Sequence, residues 1–307
     1  MEKLNISPSP HIRDNNSTSK IMTNVIIALV PALLVSGLFF GGRALMLTGF
    51  CIISAMAWEG LFNIILKRPS STNDISAAVT GMILAFNLPV TTPYWIALIG
   101  TFIAIVIAKQ LFGGLGKNFV NPAILGIIAL SLLFHEQMTT WAVPFYDPDA
   151  ILTDANPLVT KSESYLNLFI GNCCGNLGEV SAFALLVGGI YLCAVKVISP
   201  HAPLAFIGTV FAFSYILNED GIYQILAGGV MLGAIFMASD SVTTPMTKTG
   251  KIIFGIGCGL ITCIIRLRTP FIYGVPYAIL IMNILTPLID RVTRKKPLGA
   301  VYKNNKD

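Results

Sequence analysis

The chain has 307 residues, 54% of them hydrophobic and 11% charged, with a formal net charge of +5 at pH 7. Apolar residues exceed what a water-soluble core needs. The positive charge comes mostly from the C-terminal tail; it reads as membrane topology and excludes nucleic acid as a partner. The six cysteines form no framework: Cys51, Cys193, Cys258 and Cys263 lie inside apolar stretches, and Cys173 adjoins Cys174. No CxxC or Cys–His spacing occurs, so no metal or iron–sulfur site is expected.

In chain order, ten apolar stretches run at 21–40, 44–66, 75–89, 93–108, 119–134, 181–197, 202–217, 221–239, 252–265 and 275–289. Residues 1–20 are polar and the first stretch lacks a small-residue cleavage site, so no cleavable signal is expected. Several stretches are shorter than the ~20 residues a straight helix needs to cross a bilayer. With Pro or Asn at their ends, they predict interrupted or re-entrant helices. Basic residues crowd alternate connections. The side of the termini holds sixteen of the twenty Lys and Arg, among them Lys20, Lys67, Arg68, Lys109, Lys117, Lys196, Lys248, Lys251 and the tail from Arg291. The other side holds Arg43, Lys161, Arg266 and Arg268. Cytoplasmic loops retain Lys and Arg, which places both termini in the cytoplasm. The predicted fold is an all-α integral membrane protein of about ten transmembrane helices.

A weak internal echo divides the chain. GMILAFNLPVTTP at 81–93 resembles GAIFMASDSVTTP at 233–245, and FVNPAIL at 119–125 resembles GVPYAIL at 274–280. Five spans per half, an odd number, make the second half enter the membrane upside down. Such inverted repeats place their sites near the midplane, at interrupted helices. The predicted organisation is a cytoplasmic segment 1–20, a first five-helix repeat 21–134, an extracytoplasmic connection 135–175, a second five-helix repeat 176–290 and a basic cytoplasmic tail 291–307. The connection carries Glu136, Asp147, Asp149, Asp154 and Glu163 against Lys161, with Pro144, Pro148 and Pro157 keeping it irregular. It reads as a solvated loop.

Polar groups inside a bilayer are costly and mark sites by default. Glu59 either pairs with a neighbouring helix or is a step on a cation path. Asn87 and Asn121 adjoin broken helices at Pro89 and Pro122; each amide can satisfy freed carbonyls or bond the edge of a heterocyclic ligand. The segment KQLFGGLGKNFVNPA at 109–123 is a glycine-rich turn that lacks the GK[ST] ending and preceding strand of a phosphate-binding loop, so ATP is excluded. ASDSVTTPMTKTGK at 238–251 gathers Asp240, Thr243, Thr244 and Thr247 beside Pro245, as a ligand-lining turn or an ordinary helix cap. GNCCGNLGEVSAFALL at 171–186 places Asn176 three residues before Glu179, a capping pattern. Its amides and helix dipole would face outward and suit a phosphate. Glu59, Asn87, Asn121, Asp240 and Thr243 are the candidates for a cation path.

SPHIR at 9–13, FNLP at 86–89, AKQLFGGLGKNFVNPA at 108–123, GNCCGNLGEVS at 171–181 and YAILIMNILTPLID at 277–290 together resemble the RnfD/NqrB family. The resemblance covers nearly the whole chain. It implies an integral membrane subunit of an ion-translocating electron-transfer complex, built as inverted five-helix repeats like a urea transporter. NqrB proteins carry a long N-terminal extension associated with quinone, and with about twenty residues ahead of its first stretch this chain stands nearer the RnfD branch. The implied activity is a share in electron transfer between reduced ferredoxin and NAD, coupled to export of Na⁺ or H⁺ across a bacterial inner membrane. RnfA, RnfB, RnfC, RnfE and RnfG are the implied partner subunits.

The resemblance also implies FMN, esterified in relatives to the threonine of a GETS loop. Here Val180 stands at that position, and valine has no oxygen to form the phosphoester. Ser181 offers a hydroxyl one residue later, but one helical position is a rotation of about 100°. FMN held without a covalent bond is the preferred reading, with riboflavin as the alternative; the cofactor-binding residues are taken as Asn172, Gly178, Glu179, Val180, Ser181, Asn121, Asp240, Thr243 and Thr244. Tyr273 stands where relatives carry a carboxylate, which weakens a cation role for that outer turn. Two competing readings are a urea- or ammonium-like solute channel and a structural subunit that has lost its flavin.

Overall fold

The computed structural model describes residues 17–67, 74–145, 151–153, 157–161, 163–268 and 273–294. The motif at 9–13, Arg68, the loop acids Asp147, Asp149 and Asp154, and the tail from Lys295 lie outside the described residues.

The first part of the chain folds as α1 (Thr18–Phe40), α2 (Gly42–Ile65), α3 (Ser76–Phe86), α4 (Tyr94–Gln110) and α5 (Pro122–Leu133). Ser17 caps α1 by accepting the Lys20 N–H at 3.2 Å, and Gly41, at φ +72°, ends it. Asn121 caps α5, with Pro122 in its first turn, where the missing N–H costs nothing. The last eight residues of α4, Ile103–Gln110, wind as a π-helix. The connection contains α6 (His135–Met138), β1 (Thr140–Ala142), β2 (Ile151–Thr153), α7 (Pro157–Thr160) and α8 (Tyr165–Ile170). The second part holds α9 (Ala182–Ala194), α10 (His201–Ile216), α11 (Gly221–Leu226), α12 (Val230–Leu232, running on π-helically over Gly233–Met237), α13 (Lys248–Arg268) and α14 (Gly274–Thr293).

The connection corrects two expectations, that it is irregular throughout and that it is merely solvated. β1 and β2 pair antiparallel with Trp141 opposite Leu152, a small exception to the all-α reading. Trp141 is fully buried, and its indole N–H donates to Asn176 Oδ1 at 3.0 Å. The strand pair therefore clamps the segment that follows it.

Four helices, α1, α2, α13 and α14, are long and apolar enough to cross a membrane by length and composition; α3, α4, α5, α9 and α10 are shorter apolar helices. The distribution of side chains is that of a protein in lipid. Leu38, Ile53, Ile64 and Ile216 stand exposed, while Glu59, Asn87 and Lys109 are buried. Packing relies on close backbone approach through small residues, as expected where lipid removes the hydrophobic drive between helices. A side chain on Gly188 of α9 would collide with the Ala28 carbonyl of α1, and one on Gly255 of α13 would come 2.6 Å from the Ala202 carbonyl of α10. Across the two halves, α1 packs on α9 and α5 on α14.

Two helices end inside the molecule. α3 has eleven residues, a length of about 16 Å against the ~30 Å of a hydrocarbon core. Its end is finished by backbone from the other half: Gly178 N–H donates to Phe86 O at 2.9 Å and Leu177 N–H to Leu88 O at 3.0 Å. Asn87 Nδ2 bonds Ile83 O at 2.8 Å, so this amide satisfies a freed carbonyl. The eighth apolar stretch is broken, which its hydropathy does not show. α11 stops at Leu226, and Gly228 and Gly229, at φ +66° and +73°, turn the chain before α12. The freed carbonyls are taken by one guanidinium: Arg266 donates to Gln224 O at 2.9 Å, to Ala227 O at 3.5 Å and to Gly228 O. Arg266 and Lys109, counted above as loop charges, are thus helical groups of α13 and α4, Arg266 half-buried and Lys109 fully buried.

Gly188→Ala should force α1 from α9 and cost about 1–3 kcal/mol, whereas Gly208→Ala, with open space around its Cβ position, should not destabilise; thermal unfolding in detergent checks the pair. By the same assay Arg266→Met, which strips three carbonyls of their donor, should lower stability by about 2 kcal/mol or more.

Candidate functional site

An open cleft, about 790 Å³ when the space open to solvent is counted, lies at the end of the bundle where α5 and α9 meet the glycine turn. Its walls are the start of α1, α3 from Ser76 to Ile83, Lys109, the turn with Leu115, Asn118 and Asn121, the end of α9, and residues 235–242. Gly113, Gly114 and Gly116, at φ +110°, +92° and +86°, reverse the chain between α4 and α5. The turn thereby drops two asparagines into the wall. Asn121 Oδ1 accepts the Ala123 N–H at 3.0 Å as the α5 cap, and its Nδ2 faces Met237 O at 3.5 Å. Asn118, 6% exposed, donates to Val120 O at 3.1 Å, and its Oδ1 has no partner. An unpaired buried acceptor costs about 1–3 kcal/mol, so this oxygen is held ready for a donor. Sequence reasoning passed over Asn118; the signal was its place three residues before Asn121 in NFVNP.

Asp240 reaches the cleft from the second half. Its Oδ2 accepts the Thr243 hydroxyl at 3.2 Å and its Oδ1 the Val242 N–H at 3.4 Å, so the turn also performs ordinary capping. Thr243 and Thr244 do not line this cleft. The Thr244 hydroxyl bonds Ala238 O at 2.8 Å and borders a neighbouring pocket of about 470 Å³ that Asp240 shares. Asn121 and Asp240 are brought together on one cleft; Asn87 lies deeper, where its amide also meets Met237 Sδ at 3.8 Å.

Behind the cleft lies a charged knot. Lys109 Nζ donates to Glu59 Oε1 and to Ser76 Oγ, both at 2.7 Å, and Gln110 Nε2 donates to Glu59 Oε1 at 2.8 Å. Glu59 and Lys109 are each 1% exposed. Glu59 therefore pairs with a neighbouring helix, through a lysine that the sequence reading had left in a loop. The π-helical turn ending α4 presents both Lys109 and Gln110 to α2, a use typical of such bulges.

The segment 171–181 differs from its sequence reading. Ser181, not Asn176, caps α9, with its Oγ accepting the Ala184 N–H at 3.3 Å and donating to Phe169 O at 3.4 Å. The Glu179 carboxylate does turn back on the Asn176 N–H at 3.3 Å, but no helix starts there because the chain dives inward to cap α3. Hence the amides of Leu177 and Gly178 do not face outward for a phosphate. A side chain on Gly178 would strike Phe86, and one on Gly229 would come 2.5 Å from Glu179 Oε2. Val180 is buried, with its carbonyl beside Cys173 Sγ at 3.7 Å; Asn172 is exposed at the rim. The cavity left among Asn87, Asn176, Glu179, Gly228, Gly229 and Tyr273 is about 260 Å³. That is below the roughly 300–1,000 Å³ of ligand pockets, so this end as folded does not fit a flavin. The Tyr273 hydroxyl donates to Met138 O, a tether where a carboxylate had been looked for.

Over residues 5–299 the chain matches the model of the NQR2, RnfD, RnfE family. It is 46% identical to the D-type subunit of the Na⁺-translocating ferredoxin:NAD⁺ oxidoreductase complex of Acetobacterium woodii, over 97% of this chain and 96% of that one. It is 39% identical to the D-type subunit of the proton-translocating ferredoxin:NAD⁺ oxidoreductase complex of Clostridium ljungdahlii, over 96% of each. With the D-type subunit of the ion-translocating oxidoreductase complex of Stutzerimonas stutzeri the identity is 36%, over 92% of this chain and 93% of that one. The chain belongs to the NQR2, RnfD, RnfE family.

Proposed function

We propose that this chain is the D-type membrane subunit of an ion-translocating ferredoxin:NAD⁺ oxidoreductase complex, working with the other Rnf subunits in a bacterial cytoplasmic membrane. The observation that carries the reading is the cleft, a mostly apolar space into which Asn118, Asn121 and Asp240 reach, walled by α3 and α5 from the first half and residues 235–242 from the second. Near-full-length similarity to subunits so named supports it. So does the arrangement of the halves, in which α1 packs on its counterpart α9 and α5 on its counterpart α14. We read these as ten spans in two inverted repeats, with both termini and the glycine turn in the cytoplasm and Lys161 and Glu219 outside.

The cleft, unlike segment 171–181, is open and draws polar groups from both halves, and it is where we place a flavin. A bound flavin supplies one- and two-electron transfer. The chain's own groups define which flavin would fit: Asn118 Oδ1 would be free to accept a ring N–H, and Asn121 stands on the same wall. A phosphate is disfavoured, since the Asp240 carboxylate stands on the opposite wall of the cleft. An uncharged flavin of the riboflavin kind, held without a covalent bond, suits these acceptors better than FMN. A solute channel would need no such cofactor.

Purified chain should carry the yellow flavin absorbance, released by denaturation and leaving an intact mass without a flavin adduct. Asn118→Leu should weaken flavin retention about tenfold or more. Colourless protein that conducts a small solute in liposomes contradicts the reading. For sidedness, single cysteines at positions 219 and 251 should label from opposite faces of sealed vesicles; labelling from one face rules out the proposed topology.

A further inference from the structure

Lys109 holds its ammonium where a transported ion would sit. We propose that Glu59, Ser76 and Gln110 form an intramembrane site for a small monovalent cation, and that Lys109 fills this site with its own tethered ammonium until it swings away. The ammonium lies 2.7 Å from Glu59 Oε1 and 2.7 Å from Ser76 Oγ, two oxygens converging on one cation. Gln110 Nε2, at 2.8 Å from the same carboxylate oxygen, fixes that carboxylate in place.

The choice of residue argues for exchange rather than for a static brace. A buried ion pair gains little stability over apolar packing, and ionisable residues kept inside a membrane mark ion pathways. Arginine, with its rigid fork, is the usual partner in a permanent buried pair; lysine is a point charge on a flexible four-carbon stem. This lysine also has somewhere to go. Lys109 lines the cleft, and Asp240 lines the same cleft from the second half. A swing of the flexible stem into the cleft, on whose far wall Asp240 stands, leaves Glu59 and Ser76 open to an incoming cation. The site is also held under strain. Ile75, which precedes Ser76, sits at φ +61°, a left-handed conformation that β-branched residues rarely adopt. That backbone pins Ser76 at the start of α3.

The part this exchange plays in transport rests on the ion-translocating reading above; cation binding itself does not. The test is thermal unfolding of the purified full chain in sodium chloride against equal choline chloride. In Lys109→Met the ammonium is gone, and sodium at roughly ten times its Kd should raise the melting temperature by about 3 °C. The natural chain and Lys109→Arg should show no sodium-specific shift, nor should the double variant Glu59→Gln/Lys109→Met. A Lys109→Met chain indifferent to sodium, or a double variant that shifts as much, overturns the proposal. Should Lys109→Met fail to fold, the charge-reversed Glu59→Lys/Lys109→Glu keeps the pair. In vesicles bearing the whole complex it should restore assembly but not cation transport, and recovered transport overturns the proposal. Vesicles of the natural complex that move no cation on ferredoxin oxidation would sink the proposed function while leaving the sodium-dependent melt intact.

Discussion

Water is missing from the middle of a bilayer, so each peptide group freed by an interrupted helix must find its partner in the protein. Much of this fold answers that constraint. α3 stops after eleven residues, and the carbonyls of Phe86 at its end and Leu88 just beyond it are met by the amides of Gly178 and Leu177 from the other half of the chain. α11 stops sooner, and the Arg266 side chain serves its carbonyls. One break is capped by backbone and the other by a half-buried charge. Both caps require tight entry, which is why glycine occupies positions 178, 228 and 229.

These caps also set the shape of the space left over. Segment 171–181, drawn inward to finish α3, closes one end of the interior to a cavity of about 260 Å³. At the other end the glycine turn and residues 235–242 stand apart and leave a cleft of about 790 Å³. Polar groups from both halves meet there: Asn118 and Asn121 from the first, Asp240 from the second. Lys109 links this cleft to Glu59 on α2, so a charge change in the cleft is felt by a carboxylate behind it, in surroundings where screening is weak. The relatives in Acetobacterium woodii and Clostridium ljungdahlii are named for different ions. Overall similarity therefore does not select the ion.

What was legible in the sequence was what hydropathy and local pattern encode. The apolar stretches mark the helices, Pro122 after Asn121 marks the start of α5, and the glycines at 113, 114 and 116 mark a turn. What stayed hidden depended on partners distant in the chain. Lys109 looks like a loop charge because GGLG follows it, and only the packing of α4 on α2 shows it to be an interior cation. The Asn176–Glu179 pattern is a real local contact, but the stronger demand of the unfinished α3 pulls the chain past it, and the helix begins at Ser181. The Ala227–Gly229 break hides inside a continuous apolar run, since hydropathy is blind to backbone direction. Val180 was read as a lost attachment point, and the structure buries it.

Hydrogen–deuterium exchange of the chain in lipid nanodiscs tests the constraint most directly, through the amides of Leu177 and Gly178. If they cap α3 inside the membrane, they exchange as slowly as the amides in the middle of α9. Exchange at the rate of a solvated loop would show that segment 171–181 lies outside the bundle and would contradict the account.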